Sequence, residues 1–311
     1  MKKINGIIYA MLSSVGFGLM PIFTKIAYNN GLNPITVVTL RFLVASILLL
    51  GYFIICKVNF KINKKQLIIL MVIGVTGYST TALTLFLSYN YITVGLATTM
   101  HFIYPALVTL LSFIIYKEKL NKHKIISLLL SLIGIYILVG MDIGGISLKG
   151  SFLALFSGLS YAGCVVSMAS KALEDLDNKV ITFYLALFSA IAMLLYGGLK
   201  GELITTLNIY STLAVLGVSV ISTIVAIILF LHGVKIIGTS NAAILSTFEP
   251  IVGVIMGIII FKETLTIELF VGGIFIIASV IILSRSVKDN SMRIKEERLE
   301  EVSIRKSHIE N

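Results

Sequence analysis

Tryptophan is absent, proline occurs four times, cysteine twice, and charged residues make up only 13% of the 311-residue chain. Each scarcity excludes something. A soluble globular domain carries about 25% charged residues, so this chain has too few to coat a water-soluble surface. That excludes a soluble enzyme, a nucleic-acid-binding domain and a disordered regulator. Cys56 and Cys164 both fall in apolar runs and offer no disulfide framework and no metal-ligand spacing. They read as small apolar filler, and no cofactor or metal is expected. Without Trp, any interfacial aromatic belt has to come from the 13 Tyr. No G-x-x-x-x-G-K-[ST] occurs, so no P-loop drives the protein with ATP, and no H-E-x-x-H occurs. Gly158-Leu-Ser160 is a weak hint of a serine protease with no supporting His/Asp arrangement.

What is present is apolar: 57% hydrophobic residues and a mean hydropathy of +1.01. A helix needs about 20 mostly apolar residues to cross a bilayer. Ten stretches qualify: 4–28, 34–56, 67–88, 94–116, 124–141, 149–171, 179–199, 209–232, 238–261 and 266–284. Turns are expected at Asn29-Asn30-Gly31, Gly144-Gly145 and Gly197-Gly198, and the charged pieces 57–65 and 117–124 are the sharpest breaks. The first stretch is too long for a signal-peptide core and carries Lys25, so it reads as an uncleaved helix.

The net charge of +10 would suggest nucleic acid in a soluble protein, but here the basic residues lie between the spans. With a cytoplasmic N-terminus, 20 Lys/Arg fall inside and three, Lys149, Lys200 and Lys262, outside. The bias favours ten spans in the plasma membrane with both ends cytoplasmic. Residues 286–311 hold six basic and six acidic side chains. With no net charge this piece is a poor ligand for anionic lipid; it reads as a short solvated helix or disordered tail, with partner binding as the alternative.

The chain repeats itself at an offset of 145: Pro105 matches Pro250, Lys117-Glu118 matches Lys262-Glu263, Leu120 matches Leu265, and Asn33, Gly18 and Ala97 match Asn178, Gly163 and Ala242. Five spans per repeat is an odd number, so the second enters the membrane inverted. Such repeats place a site near the midplane and permit alternating access. The expected domains are 1–145, 146–285 and the tail 286–311.

Gly16-Phe-Gly18…Thr24-Lys25…Asn33-Pro34…Leu40-Arg41-Phe42…Ala45, Tyr104-Pro105…Lys117-Glu118-Lys119-Leu120 and Phe248-Glu249-Pro250…Lys262-Glu263-Thr264-Leu265 together resemble EamA-like domains. The chain is similar, over about 4–285, to the ten-helix members of the drug/metabolite transporter superfamily. That resemblance implies an all-α polytopic protein with ten helices around a central cavity, exporting metabolites such as amino acids. One departure stands out: small multidrug members carry a coupling carboxylate in the first helix, and 4–28 holds no Asp or Glu.

Ionisable groups deep in a membrane are functional candidates by default. Glu249, at the centre of its span beside Pro250, is the sharpest, as a proton or substrate-amine site; the alternative is an architectural carboxyl that never titrates. Its repeat-mate is Tyr104, and His101 lies one turn from Pro105; both are expected as its hydrogen-bonding neighbours. Lys25 and Arg41 would either snorkel to the interface or meet an anionic substrate at an outer gate. His232 reads as interfacial, and Glu118 and Glu263 as pairing or capping groups at span ends. Pro105 and Pro250 would kink their helices, and Gly253 with Gly257 forms a GxxxG pair for close packing or sliding. Ser13, Ser14, Tyr78, Thr80, Thr81, Thr84, Ser160, Tyr161, Ser222, Thr223 and Ser246 put hydroxyls in spans, some facing a cavity and others bonding back to their own helix.

These features support a non-enzymatic secondary carrier whose partners are a small-molecule substrate and the lipid bilayer, with a second copy of the chain admissible and nucleic acid excluded. A lipid-modifying membrane enzyme and an uncoupled channel or facilitator are the competing readings.

Overall fold

The computed structural model describes residues 2–88, 91–92, 97, 100–139, 147–262, 267–268 and 270–287. Gly144-Gly145, Glu263-Thr264 and the tail from residue 288 lie outside the described residues. Among the described residues every regular element is helical. Eight helices are long and apolar enough to cross a membrane: α1 Lys3–Asn29, α2 Pro34–Ile55, α3 Lys64–Ser88, α6 Leu148–Met168, α7 Asn178–Lys200, α8 Ile209–Ile237, α9 Thr239–Ile260 and α10 Phe270–Val287. Between them stand the shorter apolar helix α4 Tyr104–Tyr116 and the 18-residue α5 Lys122–Val139. The protein is a polytopic membrane protein.

The helices start where the sequence supplies caps. The Asn33 side chain accepts from the backbone N–H of Thr36 at 2.8 Å, with Pro34 in the first turn. Asn63 with Gln66 and Asn208 with Ser211 form two capping boxes, each meeting otherwise unpaired N–H groups of the first turn. Gly197-Gly198 is not a turn: α7 runs on to Lys200 and stops at Gly201, which takes the left-handed conformation at φ 66°. Gly197 serves packing instead: Leu203 and Ile35 close against it, leaving no room for a side chain. Nor do Pro105 and Pro250 kink continuous helices. Each sits in the first turn of a fresh segment, where its missing N–H is not needed: Tyr104–Tyr116 follows a turn, and Glu249–Phe261 follows a 3-10 piece at Ser246–Phe248. A similar break at Leu19 divides α1 just before Pro21. Helix α10 carries on through Ser286 and Val287, so the helix absorbs the first two residues assigned to the tail.

The interior is polar in small doses and the surface apolar. Ser13, Ser189, Ser222 and Ser279 are completely buried, and each donates to a backbone carbonyl of another helix: Ser13 to Ala226 (2.8 Å), Ser189 to Gly74 (2.9 Å), Ser222 to Gly16 (2.6 Å) and Ser279 to Ser127 (2.6 Å). Ile54, Phe152, Leu195 and Ile259 are exposed. Apolar side chains are as comfortable in lipid as in a core, so helices here hold together by close packing and hydrogen bonds. Cys164 is buried filler against Gly77, but Cys56 is exposed at the end of α2.

The 145-residue offset recurs in the coordinates. It relates the capping boxes at Asn63 and Asn208, the segment starts at Tyr104 and Glu249, and Lys117 and Lys262, which end their helices in the left-handed conformation at φ 53° and 55°. Helices α3 and α8 each contain a π-helical piece, Ile73–Ser79 and Val220–Val225. Packing is exchanged between halves: α8 lies against α1 at Ala226–Gly16, and α3 against α6 at Gly77–Cys164.

The two ends of the bundle are defined by cross-links. At the basic end Lys179 Nζ donates to Tyr52 Oη (2.9 Å), Gln66 to the Ala172 carbonyl (3.1 Å), Lys235 to the Leu176 carbonyl (2.7 Å) and Asn121 to Ser286 Oγ (3.2 Å). At the opposite end Asn33 donates to the Glu202 carbonyl (2.6 Å) and Asn208 to Asn30 Oδ1 (3.3 Å).

Candidate functional site: a central cavity with two unpaired charges

The breaks in α1 and α9 face each other. Gly18 lies so close to the Glu249 carbonyl that a Cβ there would sit 2.7 Å from it. This places Glu249, first residue of its segment, beside the break in α1. Gly158 performs the same service for α6, where a Cβ would lie 2.6 Å from the carbonyl of His101. Between these close approaches is a cavity of about 390 Å³ lined by Lys25, Arg41, Tyr78, His101, Tyr161 and Glu249, among others. It reaches from the middle of the bundle to Lys25 and Asn29 in the last turns of α1, toward the opposite end.

Arg41 does not snorkel. It is 5% exposed, its Nη1 donates to Met20 Sδ (2.8 Å), its guanidinium carbon lies 4.6 Å from the Phe42 ring centroid, and its Nε has no partner. Lys25, exposed at the cavity wall, keeps the position from which snorkelling was expected. Glu249 Oε1 is buried without a hydrogen-bond partner, and so is the Tyr78 hydroxyl. Neither Arg41 nor Glu249 has an ion-pair partner among the described residues. An unpaired buried polar group costs about 1–3 kcal/mol, and more when charged, and here three such groups, on Arg41, Tyr78 and Glu249, line one cavity.

The expected bonds from Glu249 to Tyr104 and His101 are not formed. Ser157 Oγ donates to the Ala154 carbonyl (2.6 Å), so its lone pairs face His101 Nδ1 at 2.9 Å. That assigns the proton to Nδ1 and leaves Nε2 as an acceptor. Ser246 Oγ likewise donates to the Ala243 carbonyl (2.8 Å), so the Tyr104 hydroxyl donates to Ser246. Tyr104 is buried behind the wall, its ring 4.7 Å from that of Tyr161. Tyr161 in turn packs edge-on to Tyr78 at 6.0 Å and lies 5.7 Å from His101, making one aromatic wall.

The remaining candidates lie apart from the cavity lining. Pro105 and Pro250 start segments, Gly253 packs where a Cβ would lie 3.6 Å from the Gly18 carbonyl, and Gly257 is buried in α9. His232 Nδ1 meets the Ile228 carbonyl at 2.8 Å, with its ring 5.4 Å from Tyr9. Of the span hydroxyls singled out from sequence, Tyr78, Thr81 and Tyr161 line the cavity, while Thr84 bonds back to Thr80; Thr24 and Tyr28, not among them, line it too. Sequence reading missed Phe17, Met20 and Ser157. Phe17 and Met20 flank the α1 break, and the Pro21 beside it was the available signal; Ser157 carries none.

Residues 4–140 and 148–285 match the EamA-like transporter family. Relatives are an uncharacterized transporter of Archaeoglobus fulgidus, 26% identical over 264 residues and covering 84% of this chain and 92% of that one, and one of Clostridium kluyveri, 24% identical over 304 residues and covering 94% and 97%. A third, the uncharacterized transporter YcbK of Bacillus subtilis, is 24% identical and covers 88% and 91%. A protein known by crystal structure superimposes with a TM-score of 0.79, covering 91% of this chain and 98% of that one; at 14% identity it speaks to the fold alone. With both halves of the chain matched, and a lipid-facing helical bundle around a central cavity, the protein belongs to the EamA-like transporter family.

Proposed function

We propose that the protein is a secondary, ATP-independent carrier that exports a small metabolite bearing both a carboxylate and an amine, such as an amino acid, by alternating access. The observation that carries this reading is the pair Arg41 and Glu249 in the wall of one cavity, neither with an ion-pair partner among the described residues. Charges of opposite sign that do not meet each other suit a ligand presenting both complements. The guanidinium would take the carboxylate through two N–H groups, Glu249 the amine, and the aromatic wall the apolar remainder.

Two five-helix halves, 1–145 and 146–285, inserted with opposite orientation as ten spans, would supply the exchange of access. The recurrence of caps, breaks and left-handed helix ends at one offset supports that arrangement. The gathering of lysines at one end supports a plasma-membrane topology with the basic end and both termini cytoplasmic. The cavity then faces outward in this conformation. Glu249 is the candidate for proton coupling, and no catalytic chemistry is assigned to any residue.

Purified protein in liposomes, free of nucleotide and tested against a labelled amino-acid panel with and without a pH gradient, checks the reading. Saturable flux of a zwitterion supports it. Flux unaffected by the pH gradient makes the protein a facilitator, and strict ATP dependence overturns the carrier reading.

A further inference from the structure

Helix α9 has no cap of its own. The residue before it, Gly238, has φ 86° and no side chain to offer. The cap comes from the other half of the chain. Glu118, just past the end of α4, accepts from the backbone N–H of Thr239 through Oε1 (2.9 Å) and from the Ser240 hydroxyl through Oε2 (2.6 Å). Its Oε2 also takes Lys124 Nζ at 3.2 Å, and Lys124 is 5% exposed. The carboxylate thus holds two sequence-distant helices, α4 and α9, and neutralises a buried ammonium in one step.

This knot lies at the basic end, where Lys235 and Asn121 make their cross-links, while the cavity reaches the opposite end. Glu118 closes over the N-terminus of the same helix whose 3-10 break carries Glu249 into the cavity wall. We propose that Glu118 is a latch that keeps the basic end shut while the cavity is open at the other, and that its bonds to Thr239 and Ser240 break when access switches. The latch rests on the alternating-access reading for its role, but its existence is a matter of local chemistry. Charge-assisted hydrogen bonds are about twice as strong as neutral ones. Separating α9 from α4 strips the carboxylate of two donors and exposes the Lys124 pair, so one side chain sets a large part of the cost of parting these two helices.

The test uses the full chain with Cys56→Ser and Cys164→Ala, reconstituted in liposomes and probed with a membrane-impermeant maleimide. One reporter is Ser14→Cys, a buried position whose hydroxyl bonds the Leu245 carbonyl between the cavity and the latch. The other is Thr24→Cys in the cavity wall. Each is measured with Glu118 and with Glu118→Gln, with the maleimide placed on either side of the membrane. The expected result is roughly tenfold faster labelling of the Ser14 reporter from the basic side in Glu118→Gln, as for loss of one charge-assisted bond, with slower labelling of the Thr24 reporter from the opposite side. Faster Ser14 labelling with unchanged Thr24 labelling upholds the latch and counts against alternating access. An unchanged Ser14 rate overturns the latch and leaves the transporter reading standing. Acceleration at both reporters means general loosening and overturns it too.

Discussion

The Tyr104 hydroxyl donates to Ser246, 142 residues further along the chain, and Ser246 passes its own proton to the Ala243 carbonyl. The first break-and-proline element of the bundle is therefore pinned to the second by a hydrogen bond whose donors are fully committed. No proton on Tyr104 remains for Glu249, so the phenol does not donate to the carboxyl.

Removing that bond tests the point. Tyr104→Phe is expected to cost about 1 kcal/mol, the usual worth of one hydrogen bond, seen as a modestly lower melting temperature in detergent. The pH profile of flux should be unchanged. A displaced profile would return Tyr104 to the proton path.

Glu249→Gln keeps shape and removes titration. Substrate binding should survive while the pH dependence of flux disappears. Measured against external pH in liposomes, a variant with the wild-type profile would make Glu249 architectural.

Arg41→Lys preserves charge but not the planar fork, which matters at a bidentate site. Flux of a carboxylate-bearing substrate is expected to fall about tenfold in Arg41→Lys and further in Arg41→Met, while a decarboxylated amine analogue should be affected far less. Equal losses for acid and amine would remove the carboxylate contact.

Reporter fusions after residues 61 and 121, and after 290 in the tail, should read cytoplasmic, and those after 31 and 147 external. A reversed pattern in the second half would remove the inverted arrangement and with it the basis for alternating access.

Hydropathy and the 145-residue offset made the helical bundle legible in outline, and Lys117-Glu118 against Lys262-Glu263 marked where segments end. Local packing was not legible. Gly197-Gly198 looked like a turn because glycine pairs usually are, but the helix runs through both, Gly197 making room for Leu203 and Ile35, and the turn falls at Gly201. The prolines were visible; the 3-10 piece ahead of Pro250 and the close approach of Gly18 to the Glu249 carbonyl just after it were not, because both involve packing between sequence-distant helices or backbone detail that residue pattern does not carry. Lys25, Arg41, His101 and Glu249 stood out as ions in apolar runs, and the structure brings them to one cavity. Which hydroxyls join them depends on helix rotation, which a pattern of apolar residues on all sides leaves undefined. Glu118 could be read as a capping group, but its partners Thr239 and Ser240 lie some 120 residues away, with nothing local to announce them.

The buried serines carry a mechanical consequence. Ser13, Ser189, Ser222 and Ser279 each bond a carbonyl of a neighbouring helix and no partner side chain. Every helical carbonyl keeps a second lone pair, and such carbonyls recur on one face about every 5.4 Å. The acceptor recurs along the helix, but the space does not: Ser189 and Ser222 bond the carbonyls of Gly74 and Gly16, where the neighbouring helix leaves no room for a Cβ, and four residues on stand Tyr78 and Met20. These two contacts work as keyed joints, each cut for a single register.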